Sequence, residues 1–209
     1  MPESSSPWVE DAPPVPAAAF GHASGAYQPR DPQQKVHAEP ARFKVLACHR
    51  RFGKSVMCIN ELIDRAVRST RSDTRFAYVA PIYRQAKRVA WDYLKRFAEG
   101  VPPDAVGAAP DGNMRGDGRT FRAHETELRL DFRNGSRIQL YGADRPDSLR
   151  GIYLDGVVFD EYGLMRPQVW SEVVRPMLVD REGFAIFIGT PKGRNAFFDL
   201  FERAAAEPG

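Results

Sequence analysis

Apolar residues are arranged along this chain in two alternating patterns. One is a short run, beginning with Phe43 to Cys48, which has the length of a buried strand. The other is a recurrence at three- and four-residue spacing, first at Val56, Ile59, Leu62, Ile63 and Val67, which predicts an amphipathic helix. The alternation repeats. Phe76 to Ala80 reads as a second strand, ended by Pro81, and Tyr83, Ala86, Ala90, Tyr93, Leu94 and Phe97 form the buried stripe of a helix over Tyr83 to Phe97. Arg84, Lys87, Arg88, Lys95 and Arg96 fall mostly outside that stripe and read as a solvated face rather than a DNA site. Val101 to Arg119, rich in Gly, Pro, Asp and Ala, reads as a surface loop. Leu128, Leu130 and Phe132, then Asn134-Gly135, then Ile138 and Leu140 predict a hairpin. Val157 to Phe159 and Phe184 to Ile188 are further strands, and a helix is expected from Arg194 to Arg203. Strands alternating with helices predict a three-layer α/β domain with a mostly parallel sheet and a small hairpin, its site at the C-terminal edge of the strands.

Composition narrows the picture. Residues Met1 to Ala26 are rich in Pro, Ser and Ala, and eight of the 17 prolines fall in the first 40 residues, so this part reads as a disordered tail. Tyr27 to Pro40 is polar, punctuated by proline, and reads as irregular. The whole chain of 209 residues suits one domain, here 27–209, with a tail. Its net charge of +3 permits a nucleic-acid partner without demanding one. Cys48 and Cys58 match no zinc spacing and suit a reduced, cytosolic protein. No apolar run approaches a membrane span, and the N-terminus lacks an export-signal pattern.

The chemistry lies between the first strand and the first helix. His49-Arg50-Arg51-Phe52-Gly53-Lys54-Ser55 has the layout of a phosphate-binding loop, with Cys48 where the first glycine of the usual pattern stands. Backbone amides at a helix start attract an anion, Gly53 allows close approach, Lys54 can reach β- and γ-phosphates, and Ser55 can ligate Mg²⁺. The same letters also fit a glycine before an amphipathic helix with a solvated lysine; the flanking strand and helix favour the phosphate reading. A P-loop ATPase needs a distant acidic motif, and Gly156 to Glu161 supplies one: three apolar residues followed by Asp160, suited to hold Mg²⁺, and Glu161, suited to activate water. Adjacent acids also serve as ordinary helix caps. Thr190, in Gly189-Thr190-Pro191 after the last strand, is placed to sense a γ-phosphate or simply to form a turn. A glutamine in the 27–40 segment could read an adenine edge, since an amide both donates and accepts.

Together these motifs resemble the ATPase domain of the large terminase subunit of tailed phages, over roughly Tyr27 to Arg203. The resemblance rests on the Arg-rich loop His49 to Ser55; on Ala80-Pro81-x-Tyr83-Arg84-Gln85-Ala86-Lys87; on Glu125 to Leu128 with Asn134-Gly135-Ser136 and Tyr141 to Asp144; on Leu149-Arg150-Gly151 before Val157 to Glu161; and on Gly189 to Asn195. It implies a RecA-like P-loop fold that binds ATP and Mg²⁺. By the same resemblance Arg50 contacts the γ-phosphate, with Arg51 and Phe52 in the ATP-binding loop. Arg150 is an arginine finger given to a neighbouring subunit, Gln34 rather than Gln33 reads adenine, and Thr190 couples hydrolysis to DNA movement. It further implies double-stranded DNA, a small terminase subunit and a portal protein as partners, a homo-oligomeric ring, and work in the host-cell cytoplasm. The family's nuclease domain has no counterpart before Gly209, so DNA cleavage is not expected of this chain. The rival readings are a helicase-like ATPase of the same broad fold and a non-catalytic nucleotide- or DNA-binding remnant.

Overall fold

The computed structural model describes residues 27–71, 73–106 and 119–206. The predicted tail and most of the Val101 to Arg119 loop lie outside them. In chain order the elements are α1 (Asp31–Ala38), β1 (Phe43–Ala47), α2 (Lys54–Val67), β2 (Arg75–Ala80), α3 (Tyr83–Ala86), α4 (Asp92–Glu99), β3 (Phe121–His124), β4 (Arg129–Phe132), β5 (Arg137–Gly142), β6 (Gly156–Asp160), α5 (Arg175–Met177), β7 (Phe184–Gly189) and α6 (Ala196–Ala206). A wide π-type turn, Lys87–Trp91, joins α3 to α4 in one continuous helix. A similar segment, Val169–Val174, leads into α5.

The strands form one sheet in the order β1-β7-β6-β2-β5-β4-β3. The first five are parallel; β4 runs antiparallel to β5 and β3 antiparallel to β4. The predicted hairpin turn at Asn134-Gly135 is present, but the strand after it is no appendage. β5 pairs in parallel with β2 along its whole length, because its alternate residues are apolar enough to be covered on the helical side. Two side chains close this junction. Asn134 donates from Nδ2 to the carbonyl of Ala66 at 2.8 Å and so ties the turn to the end of α2. Ser136 meets Thr74, just before β2, at 2.6 Å.

Side-chain alternation divides the core into two layers. Tyr78, Leu140, Val158, Ile186 and Ile188 face α2 and the 83–99 helix, where they pack on Met57, Cys58 and Leu62. Their neighbours Val79, Val157, Phe159 and Phe187 face the other way, toward Tyr162, Trp170 and α6. There the Phe159 and Phe187 rings stack at 5.1 Å, with Trp170 edge-on to both. A sheet buried on both faces explains why its central strands read as unbroken apolar runs rather than alternating ones.

The polar segment before β1 was expected to be irregular and is instead the helix α1. Pro32 sits in its first turn, where no amide partner is lost, and Gln33 Oε1 accepts from the Arg30 backbone amide at 3.0 Å. Its buried side chains are Gln33 and His37, so no apolar stripe announces it. A buried chain of polar groups holds it to α2. Tyr27 bonds His37 at 2.9 Å, His37 Nδ1 meets Glu61 Oε2 at 2.6 Å, and Arg65 donates to Glu61 Oε1 at 3.0 Å. Burial alone would raise the Glu61 carboxyl, but the His37 hydrogen bond and the Arg65 and Lys44 charges bring it below its ordinary value of 4.5. A depressed carboxyl stabilises the fold above that range and loses its contribution as pH falls through the folded value. We therefore expect Glu61→Ala to cost about 3–5 kcal/mol at neutral pH, since it strands buried partners. Urea denaturation would show the deficit shrinking on acidification below the ordinary carboxylate range.

Candidate functional site

At the C-terminal ends of β1, β6 and β7, the loop from Cys48 to Gly53 borders a cleft of roughly 440 Å³. The loop begins where Cys48 extends the sheet, its amide donating to the Gly189 carbonyl at 3.2 Å. It ends at Gly53, whose φ of +82° belongs to the left-handed region. A β-carbon there would also lie 2.9 Å from Gln33 Nε2 and push that amide aside, but it is the backbone turn that calls for glycine. Arg51 adopts a left-handed φ of +67° as well. Behind the loop, Gln33 Nε2 donates to the Phe52 carbonyl at 3.0 Å, and the Arg30 guanidinium donates to the same oxygen. α1 thus braces the loop from outside the cleft. No acidic side chain occupies the first turn of α2, which leaves the positive end of that helix for an anion.

Two contacts tie this loop to distant strands. Lys54 Nζ donates to the Cys48 carbonyl at 3.1 Å and to Thr190 Oγ1, past the end of β7, at 3.0 Å. Ser55 Oγ donates to Asp160 Oδ2, at the end of β6, at 3.4 Å. Thr190 in turn lies 3.4 Å from Glu161 Oε1. Lysine, serine, threonine and two acids, drawn from three distant parts of the chain, therefore share one edge of the cleft. Glu161 has a left-handed φ of +53°, a conformation that costs a non-glycine residue about 1–2 kcal/mol. It turns the chain sharply off β6.

Asp160 is 4% exposed, and burial pushes its carboxyl up; a hydrogen bond from Tyr78 opposes that shift, while the nearby Glu161 charge adds to it. Tyr78 Oη donates to Asp160 Oδ2 at 2.5 Å. Burial drives the Tyr78 phenol far above its ordinary value, helped by the Asp160 charge, so it remains a donor. The sequence reading missed Tyr78, which looks like one more apolar strand residue. The donor set of Ser55 hydroxyl and Asp160 carboxylate fits Mg²⁺, a hard cation that takes one or two protein oxygens and completes its shell with water and phosphate.

The structure brings together Arg50, Arg51, Phe52, Gly53, Lys54 and Ser55 with Asp160, Glu161 and Thr190 around this cleft. It does not bring Gln34 or Arg150 there. Gln34 is exposed on α1, its amide donating to the Pro29 carbonyl at 3.1 Å; the neighbouring Gln33 is the one that touches the loop. Arg150 is exposed after β5 and pairs with Asp147 at 3.0 Å. A larger cleft lies at the β3 end of the sheet. Its charged walls pair with one another, Lys95 with Glu125 and Arg137 with Asp131, and it is remote from the loop. Among the described residues no helix is long and apolar enough to cross a membrane.

No protein-family model matches the chain. It is 30% identical over 183 residues to a terminase large subunit of Thermus virus P23-45, which covers 84% of this chain and 36% of that protein. The chain therefore spans about a third of that curated relative. Among solved structures, the large terminase ATPase domain of Thermus phage P74-26 superposes with a TM-score of 0.67 at 27% identity, over 88% of this chain and 71% of the other. The large terminase of another thermophilic bacteriophage, solved in complex with ATP-gamma-S, shares the fold at 18% identity, with a TM-score of 0.52 over 77% of this chain and 37% of that one.

Proposed function

On the premise that this chain is related to phage large terminases through their ATPase part, we propose that it hydrolyses ATP to drive double-stranded DNA into a procapsid. The observation that carries the reading is the pair of long-range contacts, Lys54 to Thr190 and Ser55 to Asp160, at a loop whose helix start is free of acid. In this reading the loop amides and Lys54 receive the β- and γ-phosphates, Lys54 exchanging its bonds to Cys48 and Thr190 for phosphate oxygens. Ser55 and Asp160 hold Mg²⁺, which neutralises charge on the triphosphate. Glu161 orients a water for in-line attack on the γ-phosphorus and takes its proton as the bond to the β-phosphate oxygen breaks. Arg50 adds positive charge at the γ-phosphate, with Arg51 and Phe52 completing the loop.

Thr190 touches both Lys54 and Glu161, so loss of the γ-phosphate alters its partners and can be passed to the chain beyond β7. Arg150, exposed and outside its own cleft, suits donation to a neighbouring subunit of a ring; such fingers raise rates by about 10³–10⁵. A small terminase subunit and a portal protein are the expected partners, in the host-cell cytoplasm.

The test is phosphate release from ATP with and without linear double-stranded DNA. The proposal expects hydrolysis that DNA stimulates and that rises more than linearly with protein concentration as rings form. Tight nucleotide binding without hydrolysis, at any protein concentration, would instead mark a non-catalytic binding module.

A further inference from the structure

The Tyr78 side chain is an anomaly in its layer. Its neighbours on that face of the sheet are Leu140, Val158 and Ile186, and a phenylalanine would fill the same space. A hydroxyl buried in an apolar layer is costly unless it is bonded. Here the bond goes to one atom, Asp160 Oδ2, at 2.5 Å. Tyr78 pairs in register with Val158, two residues before Asp160, so it shares a face of the sheet with the acid, and its hydroxyl reaches Asp160 Oδ2. Ser55 Oγ approaches the same oxygen from the loop side.

We propose that Tyr78 is a positioning residue for the metal-binding carboxylate: its buried hydroxyl holds the Asp160 carboxylate toward Ser55, the pair that would take the Mg²⁺. This rests on the reading that Ser55 and Asp160 receive the metal of a bound nucleotide. Asp160 sits at the last residue of its strand, followed at once by the sharp turn at Glu161. At such a strand end the carboxylate is free to rotate unless something holds it. Ser55 cannot be the holder in the loaded state, because its hydroxyl is itself to be given to the metal. The only other donor bonded to Asp160 among the described side chains is Tyr78. Partners of this kind behind a metal ligand are commonly worth about 10- to 100-fold in metal affinity.

The experiment uses the full chain, as wild type and Tyr78→Phe, with Mn²⁺ as a paramagnetic substitute and ATP-gamma-S as nucleotide. Free Mn²⁺ is followed by electron paramagnetic resonance. The expected result is a Mn²⁺ affinity about tenfold weaker in Tyr78→Phe. Binding of nucleotide alone, measured in EDTA, and the melting temperature of the free protein should stay close to wild type. In hydrolysis, the Mg²⁺ concentration for half-maximal rate should rise by the same factor while the rate at saturating Mg²⁺ changes little. Equal Mn²⁺ affinity in the two proteins would overturn the proposal and leave the site reading intact. Parallel loss of metal binding, metal-free nucleotide binding and stability would also overturn it, since that marks a packing role. Failure of the wild type to take up Mn²⁺ with nucleotide would overturn the underlying reading of the site.

Discussion

Glu161→Gln should keep nucleotide binding and lose nearly all turnover. The substitution preserves size and leaves an oxygen to accept the bond from Thr190, which lies 3.4 Å away. What it removes is the ability to take a proton from the attacking water. General-base contributions run to about 10²–10⁴ in rate, so a fall near 10³, or about 4 kcal/mol in barrier, is expected. Phosphate release at saturating ATP and DNA measures it, alongside a nucleotide titration that should superpose on the wild type. Unchanged turnover would remove Glu161 from the mechanism. The left-handed backbone at this residue makes the choice of glutamine important, because a larger change in side chain would mix conformational strain with chemistry.

Lys54→Ala acts earlier, on binding. Among the described residues, Lys54 is the one cation bonded both to the loop, at the Cys48 carbonyl, and to the β7 end, at Thr190. Its side chain is nearly buried, so the triphosphate meets it in a site where solvent screens poorly. Removing one such preorganised donor typically costs about 10²–10³ in rate, and weaker Mg·ATP binding should accompany it. Lys54→Arg should not rescue either, because a planar guanidinium cannot reproduce a compact point charge in the space between Cys48 and Thr190. Calorimetric titration with Mg·ATP separates the binding loss from the turnover loss. An alanine variant that binds as tightly as wild type would move the triphosphate elsewhere.

These expectations come mainly from positions that could be read directly. Central strands of a sheet covered on both faces appear as apolar runs, which is why β2, β6 and β7 were visible with the acids and Thr190 at their ends; β1, at the sheet edge, showed as a short mostly apolar run before the loop. What escaped had no apolar periodicity to reveal it. α1 buries Gln33 and His37 rather than leucines, and its attachment depends on Glu61, which sits in the middle of a different helix. The 166–178 region winds through a wide π-type turn, whose spacing is not 3.6. β5 looked like half of an isolated hairpin because local alternation says nothing about a partner strand some sixty residues away, here β2. Tyr78 was invisible for a related reason. Its ring satisfies the strand pattern, and only the three-dimensional register shows where the hydroxyl goes. Of the two adjacent glutamines the sequence favoured Gln34, but the turn of α1 points Gln33 at the loop and leaves Gln34 exposed on the Pro29 carbonyl.

The central claim is that the β1–α2 loop and the acid at the end of β6 bind a single Mg·triphosphate. Thermal unfolding with and without Mg·ATP tests it most directly, run on wild type, Lys54→Ala and Asp160→Asn. At a hundredfold excess over Kd, ligand linkage gives about 2.7 kcal/mol, which in a chain of this size is a rise in Tm of about 5–10 °C. The account predicts that rise in the wild type, its reduction in EDTA, and its loss in both variants. No protection of the wild type by millimolar Mg·ATP, or full protection of both variants, would contradict it.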